Sequence, residues 1–129
     1  MWPPHLLADR SRAQQVLIPI IGPLVTGAIG GWLLSSTKGG YLIYTTVMIL
    51  GGIGSGMEHD TLRGGALRGL FGGVVFSGSI LVVWELIGGA SAATLPHPAS
   101  LLIALIALIS TALGVLGARL RRRFVPAAA

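Results

Sequence analysis

The sequence contains no cysteine and few charged residues, and each shortage excludes a class of protein. Without cysteine there is no disulfide framework, no thiolate metal site and no cysteine nucleophile. Only 10% of the 129 residues are charged and 53% are hydrophobic, whereas a soluble domain carries about 25% charged residues. A small soluble domain buries only about 60 to 70% of its unfolded surface. We therefore expect lipid to cover the remaining apolar surface.

Long uncharged runs give this apolar surface a regular organisation. A helix needs about 20 residues to cross a hydrocarbon core of about 30 Å, and the runs do not alternate apolar with polar residues as barrel strands do. We expect a single-domain, all-α, polytopic integral membrane protein with four transmembrane helices, at approximately residues 16–34, 41–57, 66–87 and 100–118. The remaining segments are loops 35–40, 58–65 and 88–99 and a tail, 119–129.

The positive charges predict the orientation of these spans. All eight arginines flank the span ends that four crossings place on one side, and Lys38 alone lies on the other. Because such residues are retained in the cytoplasm, we expect both termini (N-in/C-in), loop 58–65 and the tail to be cytoplasmic. Loops 35–40 and 88–99 are then the outer loops. Short loops with this bias are typical of a bacterial inner membrane, and basic residues beside apolar runs argue against nucleic-acid binding.

Small residues recur at intervals of about one helical turn and predict where helices meet. Membrane helices associate where small side chains let their backbones approach closely. The predicted packing positions are Gly27, Gly31, Gly52, Gly56, Gly65, Gly69, Gly73, Ser77 and Gly114. One interpretation is packing within a four-helix bundle. The other is that the same faces build a homo-oligomer or dock against a larger membrane complex.

Most of the candidate functional residues lie in or beside the glycine-rich loop between the second and third spans. They are Glu58, His59, Asp60, Arg63 and Arg68. Two flanking carboxylates are expected to make His59 hold its proton more readily than a free histidine, which suits a gate or a proton-responsive switch. The alternative is a solvated turn that starts the third helix at Asp60 or Thr61, with both arginines extending to lipid headgroups.

Two further sites carry charge near the membrane. Glu85 lies in the third span, where a carboxylate marks a pathway or a pairing site, unless it lies in the outer interface beside Trp84. After the fourth span, three consecutive arginines are expected to contact anionic lipid: Arg121, Arg122 and Arg123.

No arrangement of residues points to catalysis. A nucleophile, a base and an orienting group do not occur at a plausible spacing, and we find no cofactor motif and no metal-ligand spacing. We therefore do not expect an enzyme. Glycine-lined faces, two prolines and one carboxylate within a span favour permeation or transport of a small solute or ion by a channel or transporter. The alternative is a structural or accessory subunit of a larger membrane complex.

Overall fold

The computed structural model describes residues 6–124, and its regular secondary structure there is entirely helical. A short 3-10 helix, Leu7–Asp9, precedes five α-helices. These are α1 (Arg12–Ser36), α2 (Lys38–Leu50), α3 (Gly52–Gly56), α4 (Leu62–Ile87) and α5 (Leu101–Phe124). Helices α1, α4 and α5 are each long and apolar enough to cross a membrane. The prediction of an all-helical, multi-pass membrane protein is confirmed to that extent.

Capping residues place the beginnings of α1 and α4 earlier than predicted. The Ser11 hydroxyl accepts a hydrogen bond from Gln14 N (3.3 Å) and so starts α1. Thr61 accepts one from Gly64 N (3.0 Å), so α4 begins at Leu62. These bonds satisfy backbone donors that have no partner inside the helix. The predicted loop 58–65 is correspondingly shortened to residues 57–61.

The predicted tail, residues 119–129, is helical as far as it is described. Helix α5 continues to Phe124, because alanine, leucine and arginine are good helix formers and positive charge is favourable at a helix C-terminus. Residues 125–129 lie outside the described part of the chain. The fourth predicted span, 100–118, is therefore the first part of a longer helix.

The predicted outer loop 35–40 is almost absent, because Thr37 alone separates α1 from α2. The Thr37 N–H donates to Leu33 O (2.8 Å) at the end of α1. Its hydroxyl accepts from Gly40 N (3.3 Å) at the start of α2. One residue thus ends one helix and caps the next, and the two helices form a tight hairpin.

The second predicted span, 41–57, differs most from the structure. It is two helices, a 13-residue α2 and a 5-residue α3, separated at Gly51. Gly51 and Gly52 have the low helix propensity of glycine at two consecutive positions. Only three of the four predicted spans are therefore long uninterrupted helices within residues 6–124.

Helix α4 is at the centre of the molecule and packs along both α5 and α1, while α3 packs against α5 and α4. At the end where α1 finishes, Leu34, Phe76 and Ile80 form the centre of a buried apolar cluster. Residues 88–100 cover it, since Ala92 N donates to Leu34 O (2.7 Å). The opposite end holds Leu7–Asp9, the turn 57–61 and the end of α5.

Glycine lets α5 approach α4 at backbone distance. A Cβ added to Gly65 would overlap Gly114 O, and one added to Gly69 would overlap Ser110 O. At Gly73 it would lie 2.9 Å from the Cα of Ala107. These three predicted packing positions of α4 therefore face α5, along with Gly114.

The other predicted packing positions lie mostly at two further contacts. Gly27 and Gly31 lie against backbone carbonyls of α4, and Gly56 lies against Gly114. Ser77 is fully buried and donates to Gly73 O (2.6 Å). Gly52 differs, since an added Cβ would meet only Leu113, at an ordinary 3.8 Å.

The tight glycine contacts join α1, α3 and α5 to one another or to α4, as the bundle interpretation of the glycine pattern expects. Assembly into an oligomer or a larger complex stays a prediction, without support from those faces.

Candidate functional site

A cavity of about 250 Å³ lies between α1, the α2–α3 break, α4 and α5. We call it the Arg68 cavity. Six of its fourteen lining residues are glycines, namely Gly22, Gly51, Gly52, Gly69, Gly72 and Gly73. The space exists because these positions carry no side chain and because the second segment breaks where it passes the cavity. Pro23, Met48, Ile49 and Phe76 supply its apolar walls.

Arg68 contributes the charged group of this cavity, and its side chain extends away from the beginning of α4. Its guanidinium Nη1 lies only 2.7 Å from where a Cβ of Gly72 would be, beside Pro23. Gly72 is one turn further along α4, about 6 Å deeper than the Arg68 backbone. The expectation that Arg68 extends back to lipid headgroups is therefore wrong.

The Arg68 guanidinium experiences the negative charge of Glu58 from the turn 57–61, but it makes no direct contact with a counter-ion in the described part of the chain. Its Nε is buried without a hydrogen bond, and among residues 6–124 the guanidinium makes no ion pair. A half-buried charge without an ion pair is costly in a medium of low dielectric constant. The cavity thus contains a cation with no acidic residue among those that line it.

Two serine hydroxyls in the cavity wall are also unused. Eight of the ten serine and threonine residues in α1–α5 donate to a carbonyl one turn earlier. Ser55 and Ser110 are the two exceptions, and both line the cavity. Neither side chain hydrogen-bonds elsewhere within residues 6–124, so both hydroxyls are available to a ligand.

The turn at residues 57–61 contains three of the predicted candidates, Glu58, His59 and Asp60, and Arg63 follows it in α4. Leu7 N donates to Glu58 O (2.8 Å), so the N-terminal segment packs against this turn. Glu58 Oε2 and His59 Nε2 are both buried without a partner. Asp60 and Arg63 are exposed. The turn therefore has a buried side, formed by Glu58 and His59, and a solvated side.

The expectation that His59 holds its proton more readily is wrong. Burial lowers the pKa of His59 from its ordinary value of 6.5, the positive charge of Arg68 lowers it further, and Asp60 acts in the opposite direction. Desolvation disfavours the charged imidazolium. A neutral His59 is thus the favoured form in the folded protein.

Glu85 lies far from this site. It is exposed in the last turn of α4, on a face shared with Leu81, Val82 and Leu86. The 17 residues between Arg68 and Glu85 correspond to about 25 Å of helix. Glu85 is therefore not part of the cavity, and its position fits the outer-interface interpretation.

Arg121 has a structural contact that the sequence did not indicate. Its Nη1 donates to Met57 O (2.7 Å) at the end of α3. The bond fastens the end of α5 to the turn 57–61. Arg122 and Arg123 are exposed and stay the predicted contacts to anionic lipid.

Among the lining residues, Arg68 was predicted as a candidate functional residue, whereas Ser55 and Ser110 were not predicted. Gly52, Gly69 and Gly73 were predicted only as packing positions. Ser110 is a polar residue that ends the aliphatic run LLIALIALIS, and Ser55 interrupts a run of glycines. Those interruptions were the available signal. Within residues 6–124, no group of three histidine or acidic side chains is placed to hold a metal ion.

Comparison with known proteins adds no relative from which a role can be transferred. No protein-family model, curated protein or solved structure matches this chain. The chemistry of the Arg68 cavity is therefore the basis for proposing a role for the protein.

Proposed function

We propose that this protein is a small transporter or channel that passes a small solute through the Arg68 cavity. The observation that carries this proposal is the cavity itself, which lies among three helices long enough to span a membrane. Irregular backbone within a membrane is tolerated where it lines a water-filled cavity. Gly51, at which α2 and α3 are separated, lines the Arg68 cavity.

The dimensions of the cavity restrict the solute. The volume of the cavity is about 250 Å³. Pockets for drug-sized ligands have about 300 to 1,000 Å³. The solute class is therefore a small ion or a molecule of a few heavy atoms.

The position of the cavity also supports entry from the cytoplasm. It adjoins the end of the molecule that carries Arg10, Arg63 and the arginines of α5. Positive charge is retained on the cytoplasmic side. The opposite end is covered by residues 88–100 over the apolar cluster around Leu34.

Flux through liposomes tests the proposal. Proteoliposomes would be loaded and diluted into formamide, urea, glycerol, potassium chloride or potassium nitrate, with valinomycin present for the salts. Light scattering then measures the rate of solute entry. We expect at least one solute to enter at least tenfold faster than into protein-free liposomes.

A substitution that fills the cavity should remove this flux. In Gly72→Leu the new side chain would occupy the space now held by the Arg68 guanidinium. The matched control is Gly78→Leu on the same helix, where an added Cβ meets nothing within 4 Å. If Gly72→Leu folds and transports as fast as Gly78→Leu, or if no solute enters faster than through lipid, the proposed function is wrong.

A further inference from the structure

We infer that the Arg68 cavity is a binding site for a small monovalent inorganic anion of the halide or nitrate class. This inference rests on the proposed function and specifies its substrate class. The observations behind it are a guanidinium without an ion pair and two serine hydroxyls without a hydrogen bond within residues 6–124, contributed to one cavity by α4, α3 and α5.

The positive charge of Arg68 favours an anion in the cavity. Arg68 is permanently positive at physiological pH, and within residues 6–124 it makes no ion pair. A single bound anion would neutralise this charge in a low-dielectric cavity, where electrostatic attraction is strong. One unpaired positive charge matches one negative charge, so a monovalent ion fits better than a divalent one.

The hydrogen-bonding groups of the cavity also favour a negatively charged ligand. A guanidinium has only N–H donors, and a serine hydroxyl donates one O–H. The Thr26 hydroxyl is already committed to Gly22 O (2.8 Å). None of the fourteen lining residues is acidic. A hydroxyl can also accept a hydrogen bond, so the sign of the preferred ion is set by the positive charge of Arg68, which repels cations.

Two neighbouring titratable groups change the electrostatic potential at Arg68 without lining the cavity. Glu58 and His59 both interact electrostatically with Arg68 from the turn 57–61, but neither lines the cavity. The negative charge of Glu58 opposes the binding of an anion. Removing that charge should therefore strengthen anion binding.

Thermal unfolding of the purified full-length protein in detergent gives a binding measurement that does not depend on transport. Sodium chloride and sodium nitrate would be titrated against sodium gluconate, a bulky reference anion, at constant ionic strength. We expect chloride or nitrate to raise Tm by several degrees when its concentration exceeds Kd about a hundredfold. Gluconate should give no such shift.

Variants assign the effect to particular groups. Arg68→Gln should abolish the anion-dependent shift, and Arg68→Lys should keep a weaker one because it retains the charge but loses the planar fork of donors. Ser110→Ala should raise Kd roughly tenfold through loss of a hydrogen bond to a charged ligand. Glu58→Gln should lower Kd. Arg63→Gln, on an exposed side chain of the same helix, is the matched control and should behave as the parent protein.

The outcomes separate this inference from the proposed function. Equal Tm shifts in the parent protein, Arg68→Gln and Arg63→Gln would overturn the anion site. So would loss of stability without any anion effect in Glu58→Gln, since Arg68 would then be paired with Glu58. If urea or glycerol flux is nevertheless blocked by Gly72→Leu, the proposed function survives and only the anion inference fails. Anion-dependent shifts without any flux would support the site and overturn transport.

Discussion

His59 shows how strongly burial at a single residue opposes the charges next to it in sequence. Glu58 and Asp60 flank it, yet only Asp60 favours its protonated form, while burial and Arg68 lower its pKa. The sequence identifies the titratable groups of this turn correctly. It does not reveal their burial, because Leu7 and the start of α4 that pack around the turn come from elsewhere in the chain.

This lowered pKa predicts a loss of stability in mild acid. Above pH 6.5, His59 is neutral in both the folded and the unfolded protein, so the contribution to stability is fully present. As the pH falls below that value, the unfolded state gains a proton that the folded state still resists, and the free energy of unfolding decreases. The decrease ends once the pH passes below the lowered pKa of His59 in the folded protein. We expect Tm in detergent to fall as the pH is lowered from 6.5 towards the lowered pKa of His59 in the folded protein.

Replacement of the imidazole isolates its part of this pH dependence. His59→Gln should flatten the fall in Tm over that interval, because glutamine does not titrate. His97→Gln removes an exposed histidine of residues 88–100 and should leave the curve of the parent protein unchanged. Identical curves for the parent protein and His59→Gln would show that His59 protonation does not couple to folding.

At the scale of elements, the contact between α4 and α5 depends on the absence of a side chain at particular glycines. A Cβ on Gly69 would overlap the Ser110 carbonyl oxygen and lie 3.0 Å from the Cα of Thr111. Backbone atoms cannot relieve such an overlap by a change of rotamer, as a side chain can. We expect Gly69→Ala to lower the free energy of unfolding by about 1 to 3 kcal/mol, as overpacking does, measured by SDS titration.

Gly78→Ala is the control for this measurement on the same helix. An added Cβ there has open space within 4 Å, so the intrinsic preference of a helix for alanine over glycine should dominate, by up to about 1 kcal/mol. Opposite signs for the two substitutions are expected. Equal effects would mean that close packing against α5 does not decide the stability of α4.

The same elements show what apolar patterning predicts and where it fails. Spacing of glycine on α4 indicated the face that meets α5, because that face depends on helical periodicity alone. The break at Gly51 was missed because hydropathy counts glycine as compatible with a span and takes no account of its weak helix propensity. Gly117 was not predicted as a packing position because it lies against Ile53 of helix α3, which was itself not predicted.

At the scale of the whole molecule, one hydrogen bond limits the path of the chain. Leu7 N donates to Glu58 O (2.8 Å), so the segment before α1 and the turn before α4 lie side by side. Helix α1, with 25 residues, extends about 38 Å away from that point. Residues 37–57 have to return the chain over a comparable distance, which supports a fourth crossing despite the break at Gly51.

Cysteine labelling tests this path and its orientation, since the chain has no cysteine of its own. Asp60→Cys and His97→Cys place single thiols at exposed positions in the turn 57–61 and in residues 88–100. Acidic residues contribute little to orientation, so loss of Asp60 should leave it unchanged. With four crossings and the arginines in the cytoplasm, a membrane-impermeant maleimide applied outside should label His97→Cys at once and Asp60→Cys only after the membrane is permeabilised. The reverse pattern would place all eight arginines outside, and labelling of both thiols from outside would mean that α4 does not cross the bilayer.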